Sequence, residues 1–171
     1  MSEAKLHTRD LLPGDAGVEQ TVWHMARLAK RDASNPTIIA IAKKHKKKTD
    51  IDTFKSLFDY VYTNYPYVSD PDRKEFVSAP IEIINKSASY CDCDDLTTLL
   101  CSLLIALKYK VVIKTIAWDK ERCDSDSCPF SHVYCMVEFD GKYMPLDPVK
   151  EQEGFGAEQA PVFRVKNWKV N

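Results

Sequence analysis

The chain has 171 residues, 44% of them hydrophobic and 29% charged, with a formal net charge of −1. That length suits one compact domain, and the balance excludes a disordered chain and a strongly basic nucleic-acid binder. No apolar run reaches the length of a bilayer span and the first residues lack the apolar core of a secretion signal, so neither a membrane nor an exported location is expected. The expected location is the cytoplasm on synthesis.

Residues 1–17 are polar and hold Pro13, Gly14 and Gly17, the composition of an arm that becomes ordered against a partner. From Val18 the pattern turns helical, with Val22, Met25, Ala26, Leu28 and Ala29 at helical spacing. Ser34-Asn35-Pro36 stops that helix and caps a second, which carries Ile38, Ile39 and Ile41. The run Lys43 to Lys48, interrupted only by His45, follows its end, where cations complement the helix dipole and are solvated. A third helix is predicted from Thr49-Asp50, presenting Phe54, Leu57, Phe58, Val61 and Tyr62 before Pro66 ends it. Residues 18–65 thus form a helical segment ahead of a core over 66–171.

Residues 66–90, with Pro66, Pro71 and Pro80, show no sustained period and read as irregular. Leu96, Leu99, Leu100, Leu103, Leu104 and Leu107 then follow the i, i+3, i+4 rule, which predicts a core helix from about Asp92 to Lys108. Lys110 to Trp118 is β-rich, and 119–129 is a charged loop. His132 to Phe139 alternates, and Lys142 to Leu146 returns through Asp140-Gly141, a strong hairpin signal. The tail offers a short strand at Phe163 to Val165 and another around Trp168. The whole reads as an α+β fold.

The chemistry concentrates at the start of the leucine helix and on the hairpin. Cys93 falls in the first helical turn, where unpaired N–H groups and the positive dipole end favour a thiolate. Asp92, Asp94 and Asp95 oppose that ionisation and call for a nearby positive group, for which His132 is the natural candidate. If Asp140-Gly141 is a two-residue loop, Phe139 faces Lys142, and counting outward puts Tyr134 opposite Asp147 and His132 opposite Val149. His132 and Asp147 become diagonal neighbours about 7–8 Å apart at the backbone, a gap their side chains can close. The expected roles are nucleophile for Cys93, proton carrier for His132 and orienting carboxylate for Asp147. The Cys93 N–H is a candidate oxyanion donor, with Tyr67 or Trp118 as candidates for the second.

Cys91-Asp92-Cys93-Asp94-Asp95, Ser131-His132-Val133-Tyr134 and Pro145-Leu146-Asp147-Pro148, in that order, resemble the motifs of the transglutaminase-like superfamily. Tyr67 to Pro80 resembles the family's preceding segment more loosely, and the short helical prefix is most similar to versions found in bacteriophages. The resemblance implies a papain-like α+β core, with the nucleophile's helix on an antiparallel sheet. It implies a peptidase, amidase or transglutaminase acting on a peptide or protein without a cofactor. Cys91 stands where the family commonly has glycine, so a side chain there could narrow the cleft or pair with the active thiol.

Two other classes compete. Cys91, Cys93, Cys123, Cys128 and His132 offer thiolates and an imidazole to zinc, though at irregular spacing. The fold could also serve as a catalytically silent structural protein of a phage particle, docking through its arm to phage structural proteins. Without an export signal, the six cysteines are expected to be reduced. Cys101 and Cys135 read as packing residues, and Cys123 and Cys128 either join on oxidation or stay free.

Overall fold

The structure, a computed structural model, describes residues 11–70, 76–88, 90–123, 128–149, 154–158 and 160–171. The first ten residues of the expected arm, the centre of the 119–129 loop and part of the 67–80 segment lie outside them. Among the described residues the chain forms five α-helices and a four-stranded antiparallel sheet, an α+β fold.

Helix α1 (Asp15–Asp32) begins three residues before the first apolar position that signals it, and buries Val22, Met25, Leu28 and Ala29. The arm is therefore shorter than its composition suggests. Leu11 and Leu12 fold back on the new helix, and a Cβ on Gly17 would stand 2.1 Å from the Leu12 carbonyl oxygen. Only glycine allows that approach. Helix α2 (Pro36–His45) starts as expected: the Asn35 side chain accepts the Thr37 N–H at 2.9 Å and Pro36 opens the first turn. Its Lys43 and Lys44, with Lys46 to Lys48 beyond, are exposed. Helix α3 (Asp50–Asn64) is capped by the Thr49 hydroxyl, which accepts the Asp52 N–H. It buries Phe54, Leu57, Phe58 and Val61 but leaves Tyr62 exposed, against expectation.

A five-residue helix, α4 (Pro80–Ile84), interrupts the stretch expected to be irregular. It is too short to show a period in sequence, and it is held from elsewhere: the buried Asp32 carboxylate accepts the Ile81 N–H at 3.0 Å. Helix α5 (Cys93–Ala106) is the centre of the molecule, with Leu96, Leu99, Leu100, Leu103 and Leu104 at most 1% exposed. It touches the other four helices and strands β1 (Val111–Ala117) and β2 (His132–Phe139). Its apolar stripe meets Val133, Cys135 and Val137 in one continuous core.

The sheet adds β3 (Lys142–Leu146) and β4 (Arg164–Lys169), in the order β3-β2-β1-β4. The hairpin register runs from Phe139 opposite Lys142 to Cys135 opposite Leu146, the pairing counted from the sequence. Asp140 and Gly141 both take positive φ, 51° and 72°, as the tight two-residue turn requires. The tail forms one strand, not two. β4 lies at the sheet edge with Val165 half exposed, so its polar, weakly alternating sequence carries little strand signal. On the sheet's other face Tyr134, Met136, Val112 and Ile116 form a second cluster. There the Tyr134 hydroxyl donates to Glu158 at 3.0 Å, so β2 is buried on both sides along most of its length.

Candidate active site

The turn before α5 is fixed by two backbone hydrogen bonds between Cys91 and Val68, at 2.8 and 3.0 Å. Asp92 then caps the helix, its Oδ1 accepting the Asp94 N–H at 3.2 Å. This puts Cys93 in the first turn and half-buried. One turn on, the Thr97 hydroxyl donates to the Val133 carbonyl at 3.2 Å. Residues four apart share a helix face, and Val133 is the neighbour of His132. That single bond therefore fastens the start of the nucleophile's helix beside the start of β2.

His132 Nε2–H donates to Asp147 Oδ2 at 2.6 Å. Asp147 Oδ1 accepts the Val149 N–H at 3.2 Å, so both carboxyl oxygens are engaged and the group cannot rotate freely. His132 and Asp147 are 7% and 5% exposed. With Nε2 committed, Nδ1 is the ring nitrogen left to exchange a proton with a neighbour.

Cys93 and His132 line one open cavity of about 430 Å³. Tyr67, Asp92, Asp94 and Ser131 share it, and Leu11, Leu12, Val18 and Val22 build a wall from the other side. Among the described residues Arg122 is the Lys or Arg that also lines it. No sequence signal reaches Arg122, Thr97 or the α1 wall, because each meets the site through the tertiary fold. Trp118, a candidate oxyanion donor, does not line the cavity, whereas Tyr67 does. Burial, opposed by a hydrogen bond with Ser69 and reinforced by negative charge at Cys93 and Asp92, keeps the Tyr67 hydroxyl protonated.

Cys91 turns the other way. It is a free thiol that lines a separate hollow with Tyr65, Ile83 and Tyr90, so it neither narrows the Cys93 cavity nor pairs with Cys93. Burial, then the charges of Asp95 and Asp92, push its thiol up to about 12, which leaves it inert at neutral pH. Cys101 and Cys135 are free and fully buried, as packing residues are. Cys123 and Cys128 are joined by a disulfide, contrary to the expectation of six reduced thiols. They stand only five positions apart, so closing the loop needs little chain ordering. That bond also takes both sulfurs out of the zinc set of Cys91, Cys93, Cys123, Cys128 and His132.

The aspartates around Cys93 are deeply placed. Asp94 is buried, and burial, followed by the adjoining Asp92 carboxyl, holds its carboxyl well above the usual range. Asp95 Oδ1 accepts the Ser78 N–H at 2.6 Å. Burial nevertheless raises Asp95 to about 8, the Ser78 N–H opposing and the Asp92 charge adding to the rise.

No protein-family model matches the sequence, and no curated protein matches it. Two solved structures share the fold. One is a putative cysteine protease from Cytophaga hutchinsonii, with a TM-score of 0.55 and 16% identity over 95% of this chain. The other is a putative protease from Parabacteroides distasonis, with a TM-score of 0.56 and 16% identity over 80% of this chain. The chain spans about half of the first protein (53%) and about a quarter of the second (27%). At that identity the likeness is one of fold.

Proposed function

We propose that this chain is a thiol-dependent acyl-transfer enzyme of the transglutaminase-like, papain-like type, acting on a peptide bond or a side-chain amide. The observation that carries the reading is the imidazole of His132, clasped by a buried carboxylate at 2.6 Å and opening on the same cavity as a cysteine in the first turn of a helix. A thiol beside an oriented base is the arrangement that nucleophilic acyl transfer requires.

In this scheme His132 Nδ1 takes the Cys93 proton as the sulfur adds to the amide carbonyl. The Cys93 N–H, one of the unpaired donors of the helix start, stabilises the oxyanion. His132 returns the proton to the leaving amine, the C–N bond breaks, and a thioester remains. Water, activated by the same imidazole, then releases the acid and restores the thiol. Asp147 holds the ring and stabilises its cation throughout. Hydrolysis is favoured over transfer to an amine, because water needs no dedicated acceptor pocket.

The test is alkylation with iodoacetamide near neutral pH, located by mass spectrometry, in the native chain and in Cys93→Ala and His132→Ala. The expected result is rapid modification at Cys93, slowed at least tenfold in His132→Ala and absent from that position in Cys93→Ala. Equal rates at Cys93 with and without His132 overturn the assignment.

A further inference from the structure

Strand β4 closes one edge of the sheet. The Val170 N–H donates to the Val111 carbonyl, and every second residue of an antiparallel ladder bonds the same neighbour. Lys166 and Trp168 therefore bond β1, whereas Val165, Asn167 and Lys169 turn their backbone N–H and C=O groups to the outer edge. Among the described residues no strand pairs with that edge. Beside it runs an open groove of about 490 Å³, with Asn167, Trp168 and Lys169 on one side and α1 on the other. Trp23, Arg27 and Lys30, spaced i, i+4 and i+7, form one stripe of α1 along the groove. Trp23 is 66% exposed, a large apolar surface of the kind that marks a contact site.

We propose that this groove binds an extended acidic peptide segment of another protein, which adds to β4 as a further strand of the sheet. A row of backbone donors and acceptors is matched by another backbone, so an extended peptide fits the edge where a nucleic acid or a lipid surface does not. Charge selects the side chains. Among its described lining residues the groove sets Arg27, Lys30 and Lys169 against one acid, Glu19. Trp168 packs on the helix-side core, so Lys166, two residues away, shares that face, with its ammonium over the Trp168 ring. The side chains of an added strand alternate between the two faces. Those on the α1 side meet Arg27, Lys30 and Lys166 and suit glutamate or aspartate. Those on the opposite face lie beside Val165, 52% exposed, and suit valine or isoleucine. A second copy of this chain fits less well, because pairing two β4 edges sets the lysines of one against the lysines of the other.

The surface is separate from the acyl-transfer cavity. Among the described residues the two openings share only Val22, on α1. Binding here therefore draws on neither Cys93 nor His132.

The experiment follows the fluorescence anisotropy of a fluorescein-labelled octapeptide of alternating glutamate and valine as the full chain is added. Saturable binding is expected, weakened by salt. A lysine–valine octapeptide is expected to bind roughly tenfold more weakly. With glutamate facing α1, the valine N–H groups are the ones that face β4, so N-methylation at the valines is expected to weaken binding roughly tenfold, and at the glutamates to leave it near the parent. Lys30→Glu and Trp23→Ala, both at exposed positions, are each expected to weaken the acidic peptide by roughly fivefold or more, with melting curves near native. Cys93→Ala is expected to bind as the native chain does. No change in anisotropy up to millimolar chain overturns the proposal. Equal effects of the two N-methylations overturn strand addition, and unchanged affinity in both Lys30→Glu and Trp23→Ala overturns the groove. A dimer of this chain that pairs through β4 and excludes the peptide overturns the choice of partner.

Discussion

The hairpin and the helix start, which meet at one cavity, handle buried charge in opposite ways. On the hairpin, Asp147 spends both carboxyl oxygens, one on the His132 ring and one on the Val149 N–H. At the helix start, Asp94 is as deeply buried, and the group beside it is another acid, the Asp92 carboxyl. A carboxyl buried against another acid is held in its protonated form. The difference teaches that burial alone does not set how a carboxyl is held in this protein; the group beside it does.

Breaking the hairpin side has the largest effect. Asp147→Asn keeps the shape but presents an amide to the ring, so turnover of an amide substrate is expected to fall by roughly 10²–10⁴-fold in kcat. A melting curve close to native, measured alongside, shows that the loss comes from the ring's orientation and not from unfolding. An undiminished kcat in Asp147→Asn would remove the hairpin from the chemistry.

The helix side is sharpened by pH. The folded chain holds Asp95 protonated up to about 8, against a reference value of 3.8. Between those values the folded state binds more protons than the unfolded one, so stability falls as pH rises across that window and levels off above it. Melting temperatures from pH 5 to pH 8 are expected to decline in the native chain. Asp95→Asn, which cannot ionise, is expected to flatten that slope, and an unchanged slope would show that Asp95 is not its source.

The smallest effect tests the tie between the two regions. Thr97→Val removes the hydroxyl that donates to the Val133 carbonyl. It is expected to cost about 1 kcal/mol in a denaturant titration. If the bond positions Cys93 beside His132, kcat falls further than that loss of stability explains, while KM stays near native. A kcat that stays native would make Thr97 a packing residue only.

Much of this frame was legible in the residues. The leucine stripe of α5 and the caps at Asn35 and Thr49 are local patterns with local causes, and the structure keeps them. The hairpin register follows from Asp140-Gly141 and period-2 alternation as far as Cys135 opposite Leu146; the strand pairing ends there, and the His132–Asp147 hydrogen bond forms just beyond it. What escaped was short or remote. Helix α4 has too few residues to repeat, and α1 starts earlier than its apolar pattern because Asp15 and its neighbours are polar. β4 has an edge strand's mixed composition, and the Cys123–Cys128 disulfide is invisible to an argument from compartment.

By itself the sequence determined the elements and the chemistry they carry, because helix period, turn geometry and strand pairing act over a few residues. Only the tertiary structure decided how those elements meet. It turned Cys91 away from the cavity, brought Arg122 and the start of α1 to it, tied Thr97 to Val133, and buried the Asp94 carboxyl against that of Asp92. The physical reason is that partners and burial belong to contacts between distant segments, and a residue's own neighbours in the chain do not specify them.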